Sequence, residues 1–462
     1  MQRDSRGLDL TTASEEAAKH IDQAVADYMD YQTTAFPQVK KALDADPDFA
    51  LAKCFRGYFL LMLENKAILP KVQQMLDEMR PQFGSLTQRE RSHVSALEAW
   101  AAGDIMKACL HWERLLIESP RDLLALKLHH TMNFYAGRSQ VMRSVLASVL
   151  GEWDDDVPGY GCVQGMYAYA LEECGDYEEA ERWGRQAVER NPGDLWAIHS
   201  VAHVLEMQGR SAEGVRWLDY TPEQWAQKNP FKAHVWWHAA LFLIAQGKLE
   251  RALQIYDNEL NSVNSETYVD VSNQAALLKR LQLAGVDIGS RWEALAEHSQ
   301  TRIHDHMLPF RDAHFCLALA ADGKFEAARR HIASMAEFAG QEQGWRAQVT
   351  RAVLIPLCEG MIAYEEGNYA HASDLLWATR NETVSIGGSR AQRDLFAQIL
   401  CDAAIRAHNL PVARSVLSER VRSRSTRKGN WLAYADVLTE LGESKRAEAA
   451  RQSAAAAPEW GA

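Results

Sequence analysis

The sequence predicts an all-α protein, a right-handed α-solenoid of stacked helix hairpins. Three observations lead there. Small residues recur at fixed offsets with a period of ~34 residues. Most hairpins are punctuated by a turn glycine and some by a closing proline. Sustained alternation of β-branched with polar residues, the mark of a strand, is nearly absent.

The clearest unit runs from Gly161 to Pro192. Its first helix carries Ala168, a turn follows at Gly175-Asp176-Tyr177, and the second helix carries Ala180 and Ala187 before Asn191-Pro192. Small residues at these places let two antiparallel helices, and then the next hairpin, approach closely without leaving a cavity. Ala96, Gly103-Asp104, Ala108 and Pro120 repeat the same offsets. Partial copies stand at Gly209/Gly214, Gly247/Ala252, Gly323/Ala328, Gly367/Ala372 and Gly442/Ala447, and Ala42 to Pro47 closes an early repeat. This is tetratricopeptide-type grammar, roughly nine hairpins in one solenoid domain over residues 1–462. Irregular insertions are expected near 217–233 and 263–306. The first holds WLDYTPEQWAQKNPF; the second holds Asp270, Arg280 and the Arg291-Trp292 pair. A third irregular stretch, Arg420 to Asn430, is basic and reads as a solvated loop.

Bulk properties bound the function. With 462 residues, 47% of them apolar, the chain can bury a long continuous core. Its 62 acidic against 50 basic residues give a net charge of −12, which argues against a general nucleic-acid binder. Seven scattered cysteines without a C-x-x-C pair point to a reducing cytosol rather than a disulfide framework. The first residues show no secretory h-region, and no stretch approaches the ~20 apolar residues of a membrane span. A cytoplasmic protein without membrane or nucleic-acid partners is the expectation, its oligomeric state left open.

Two further blocks follow the Asp194–Arg210 run DLWAIHSVAHVLEMQGR and the His234–Phe242 run HVWWHAALF: PFRDAH at Pro309–His314 and GGSRAQRDLF at Gly387–Phe396. Together the four resemble the tetratricopeptide repeat protein 38 family, over most of the chain from about Asp46 onward. The resemblance implies an intracellular repeat protein and supplies no biochemical activity. Family members tend to carry an apolar or Ser-rich stretch where this chain has Val271 to Arg280.

The chain has no P-loop, no H-E-x-x-H and no G-x-S-x-G elbow, and GYGCVQG at Gly159 lacks dinucleotide spacing. One constellation survives. His199, His203 and Glu206 are spaced i, i+4, i+7, on one face of a first helix. Glu172 and Glu173 occupy the matching stretch of the preceding hairpin, and His234 and His238, four apart, that of the following one. In such an array these positions line the concave groove.

Glu172, His199, His203, Glu206, His234 and His238 are therefore the expected ligand site. The four histidines are the candidate ligands of a divalent metal: zinc, iron, manganese or nickel. Buried hydrogen bonding or metal-free acid–base chemistry fits the same residues. Asp312 and His314 are possible groove members, set against a capping role for Asp312. Gly387, Gly388, Arg390 and Arg393 suit an anion or a solvated helix cap. Trp196, Trp217, Trp225, Trp236, Trp237 and Trp292 either wall a pocket or fill the core. Two classes of function stay open: a scaffold that holds a peptide, partner protein or small ligand in the groove, and an enzyme with its site there.

Overall fold

A computed structural model describes residues 1–261 and 268–457. Among them the elements are helices, apart from one antiparallel ribbon that pairs Gln2–Arg3 with Asp9–Leu10. The helices run as antiparallel hairpins, and the repeat grammar explains their joints. The helix Tyr160–Cys174 ends at Gly175, whose φ of +92° is the left-handed conformation that closes a helix without a Cβ penalty. Tyr177–Arg190 then returns against it. Ala168, Ala180 and Ala187 are buried, as are their counterparts Ala96 and Ala108 and the later Ala240.

Contacts group the chain into two units. The first comprises Met1–Val201 with Tyr220–Lys232. Its N-terminal segment is tied down by buried charge: Arg89 reaches Asp4 at 3.1 Å and Asp122 at 2.5 Å, and His93 Nε2 reaches Asp122 at 3.1 Å. The second comprises Ala202–Asp219 and the described residues of 233–261 and 269–457. It is a run of hairpins with the same small-residue contacts, Ala252, Ala328, Ala372, Ala413 and Ala447 all being buried.

Local structure departs from the sequence reading in two places. The segment expected to be irregular from Val263 holds two helices, Tyr268–Leu283 and Arg291–Gln300. Ala275, Ala276, Leu277, Leu278 and Leu281 bury its apolar side, so the polar Ser272, Asn273 and Gln274 hid an ordinary helix. Residues 262–267 and the side chain of Asp270 lie outside the described residues. The basic stretch from Arg420 is a solvated loop only in part, with Arg422, Ser423, Ser425 and Lys428 exposed. Arg420–Ser423 ends the helix Leu410–Ser423, Lys428 opens the next, and Arg424 between them is buried. Acidic partners, described below, draw these arginines inward.

Candidate functional site

The helix Leu195–Met207 carries His199 at the end of the first unit and His203 and Glu206 at the start of the second. The helix Phe231–Ala245, FKAHVWWHAALFLIA, is apolar on nearly every side and so is buried all round, taking His234 and His238 with it. Within the second unit His203, Glu206, His234 and His238 come together. The ring of His238 lies 4.4 Å from that of His203 and 4.9 Å from that of His234, centroid to centroid. Each of the three histidines offers a ring nitrogen, and these nitrogens lie within 4.8 Å of one another.

Two of the rings are held in a defined tautomer. His238 Nδ1 stands 3.1 Å from Glu206 Oε2, and a carboxylate accepts, so Nδ1 carries the proton. His234 Nδ1 donates to Asn273 Oδ1 at 3.0 Å. In both, the lone pair is left on Nε2, the arrangement by which outer partners orient metal-ligating imidazoles. Trp237 stacks on His234 at 5.3 Å, and the Arg280 guanidinium lies 5.3 Å from the Trp237 ring. Burial pushes the pKa of His234 well below its ordinary value, helped by His238 and His203; burial does the same to His238, helped by His203 and Arg280. Both rings are therefore neutral at neutral pH, the form that ligates a metal.

Beside this cluster the second unit has a half-open cavity of about 770 Å³. Glu206, Arg280, Asp394, Arg420 and Arg427 line it, with Leu241 and Phe242 on the apolar side. Its charges are arranged in pairs. Asp394 accepts from Arg420 at 2.7 Å and meets Arg424 at 2.7 Å. Burial opposes the Asp394 charge, and the two guanidinium groups outweigh it, holding the carboxyl well below the usual range. Arg427 Nη2 stands 3.8 Å from Glu206 Oε1, longer than a hydrogen bond. Burial, joined by the charge of Arg424, lowers the Arg427 pKa. Arg280 donates to the carbonyls of Ala276 at 3.1 Å and Ala391 at 2.8 Å, and burial lowers its pKa to about 10.

Glu172 is buried in the first unit. His199 sits there in an aromatic box, 5.0 Å from Trp196, 5.3 Å from Tyr169 and 5.2 Å from Phe231. The same box holds the buried Lys127, 3.7 Å over Trp196 and bonded to Tyr31 Oη at 2.8 Å. Asp312 does not cap its helix, whose N-cap is Leu308; it faces His306 and His331 instead. His314 turns away from it, donating through Nδ1 to the Phe310 carbonyl at 2.7 Å. Gly387 and Gly388 are buried, and Ser389 with Gln392 forms a capping box, so this helix start is neither solvated nor an open anion site. Of the tryptophans, Trp237 adjoins the histidines, Trp196 joins the first-unit box and Trp225 stacks on Tyr220 at 4.8 Å.

Sequence reasoning missed Asn273, Asp394 and the inward turn of the arginines. Asp394 lies inside the GGSRAQRDLF block, and that was its one visible signal.

No protein-family profile matches the chain. Among solved structures it is similar to a human IFIT1 dimer with PPP-AAAA, at 12% identity and TM-score 0.43, covering 96% of this chain and 95% of that one. It is also similar to a human IFIT1 dimer with m7Gppp-AAAA, at 13% identity, TM-score 0.41 and the same coverages of 96% and 95%. The P58(IPK) TPR domain matches at 13% identity and TM-score 0.22, over 80% of this chain and 92% of that one. These are distant likenesses and carry no argument about this chain. Its own helices make it an all-α array of tetratricopeptide-type hairpins. Among the described residues no helix is long and apolar enough to cross a membrane.

Proposed function

We propose that the chain is a cytosolic binding protein whose second unit takes up a small anionic molecule. The cavity of about 770 Å³ with Arg427 in its lining is the observation that carries this. The volume falls within the ~300–1,000 Å³ usual for small-molecule sites. A carboxylate or phosphate could accept charge-assisted hydrogen bonds from Arg427, whose contact with Glu206 at 3.8 Å is too long to be a hydrogen bond. A small ligand is favoured over a nucleic acid by the net charge of −12. Membership of the tetratricopeptide repeat protein 38 family is part of the proposal. The blocks that carry that resemblance supply His203, Glu206, His234, His238 and Asp394.

The test is calorimetric titration of the full chain with mono- and dicarboxylates and with phosphate monoesters. Binding of one class, weakened in Arg427→Ala, supports the reading. No binding by any class, or binding indifferent to Arg427→Ala, removes it.

A second reading, a metal-dependent enzyme using the same wall, is favoured by the two histidine tautomers. Their Nε2 lone pairs and His203 form a three-nitrogen set suited to zinc, iron, manganese or nickel, with Glu206 as the outer partner of His238.

A further inference from the structure

A second cluster lies elsewhere in the second unit, built by the turn before the helix Pro309–Ala321 and the helix Phe325–Gln341. His306, Asp312 and His331 are all buried there, and their ligating atoms lie within 4.8 Å of one another. His306 Nδ1 is 3.5 Å from Asp312 Oδ2, and His331 Nε2 is 3.7 Å from Asp312 Oδ1. Donors held ~2.0–2.2 Å from one tetrahedral ion stand ~3.3–3.6 Å apart, so the carboxylate is already near ligating distance from both rings.

The outer contacts bear on the tautomers. His331 Nδ1 is 2.9 Å from the Ile303 carbonyl and Nε2 is 3.2 Å from the Asp312 carbonyl, two acceptors of which a neutral ring can serve only one. When it donates to Ile303, the shorter contact, the lone pair is on Nε2. His306 Nε2 is 2.8 Å from Ser334 Oγ, and the same hydroxyl lies 2.7 Å from His304 Nδ1. Ser334 can donate to His304 and accept from His306, which leaves the lone pair of His306 on Nδ1, facing Asp312. Two imidazole lone pairs and a carboxylate then confront one another out of water, an arrangement that calls for a cation between them. The backbone of His306 adopts φ +47°, which a side-chain-bearing residue rarely does, and that turn aims its ring at Asp312.

We propose that His306, Asp312 and His331 hold a divalent transition-metal ion that fastens the 301–308 segment to the two helices after it. Two imidazoles and one carboxylate suit zinc, iron(II) or manganese. The rival cation is a proton shared as an imidazolium. Arg346, whose Nη1 donates to the His306 carbonyl at 3.2 Å, is a further positive neighbour.

The experiment is hydrogen–deuterium exchange on the full chain after chelation, with and without Zn²⁺, at pH 7.5. Zn²⁺ should slow exchange in peptides covering 301–308 by about tenfold or more. The slowing should persist in His238→Ala and vanish in Asp312→Asn and His331→Gln. The wild-type footprint decides the matter even if a variant fails to fold. No response to Zn²⁺ at 301–308, or the same response in Asp312→Asn, overturns the proposal. So does slowing that follows acidification to pH 6 with no response to metal, which would identify the imidazolium.

Discussion

Glu206 orients His238: its Oε2 accepts from His238 Nδ1 at 3.1 Å, from one first helix to the next, and both side chains are buried. The other oxygen of the same carboxylate faces Arg427 at 3.8 Å in the cavity. One residue thus connects the histidine cluster with the ligand cavity. In Glu206→Ala, His238 loses the group that fixes its tautomer, and the half-buried Arg427 loses its counter-charge. Removing such an outer partner costs about 10–100-fold in metal affinity. Zn²⁺ affinity at this cluster, measured by chelator competition, should fall by that factor in Glu206→Ala and further in His203→Ala. Equal affinity in all three proteins would mean that these histidines are packing residues.

Arg427→Ala isolates the cavity from the histidines. A charge-assisted hydrogen bond is worth about 1.5–3 kcal/mol, so the loss should weaken anion binding by about 10–100-fold. The change should appear in Kd from calorimetry, with the melting temperature within a few degrees of the parent. A variant that binds as the parent does would place the anion elsewhere.

The hairpins were legible because their signals are local. A turn glycine, a small residue at a helix crossing and a proline stop each act within one repeat, as at Gly175, Ala180 and Pro192. The histidine cluster was legible in part, since spacing alone puts His234 and His238 on one helical face. What chain order could not reveal was partnership over long separations. Asp394 draws Arg420 and Arg424 inward, and nothing near Arg424 in the chain announces that. His331 was equally silent, because its meaning depends on Ile303 and Asp312, 28 and 19 residues away.

Ala180 tests the packing. It is buried where Tyr177–Arg190 lies along Tyr160–Cys174. Ala180→Leu adds three carbons to a crossing with no room for them, at a cost of about 1–3 kcal/mol. The melting temperature should drop by several degrees while the circular dichroism spectrum stays helical. An unchanged melt would show that the crossing yields easily.

Asp394→Asn removes the counter-charge of two arginines while nearly preserving shape. Breaking a buried pair from one side typically costs about 3–5 kcal/mol, because the remaining charge is stranded. Chemical denaturation should show a loss of that order. Arg422→Ala, removing a guanidinium for which no ion pair with Asp394 is found, should cost far less. Similar losses for the two variants would mean that the Asp394 pairing adds little.

Acid stability follows from the buried histidines. His314 has its pKa pushed down to about 4 by burial, and burial drives His234 and His238 well below their ordinary value. In the unfolded chain such groups take up a proton near pH 6.5. Between that value and the folded pKa the unfolded state binds more protons, so stability falls as pH falls through the window. Above pH 6.5 both states are neutral and these groups contribute no slope. Each histidine adds at most about 1.4 kcal/mol per pH unit inside the window. The part of the melting temperature that these histidines govern should therefore decline from about pH 6.5 toward 4. His314→Asn should make the decline shallower, because it removes one of the titrating groups. If the parent and His314→Asn lose stability with the same slope between pH 6 and 4.5, His314 takes up its proton as readily folded as unfolded. Its burial would then carry no proton linkage.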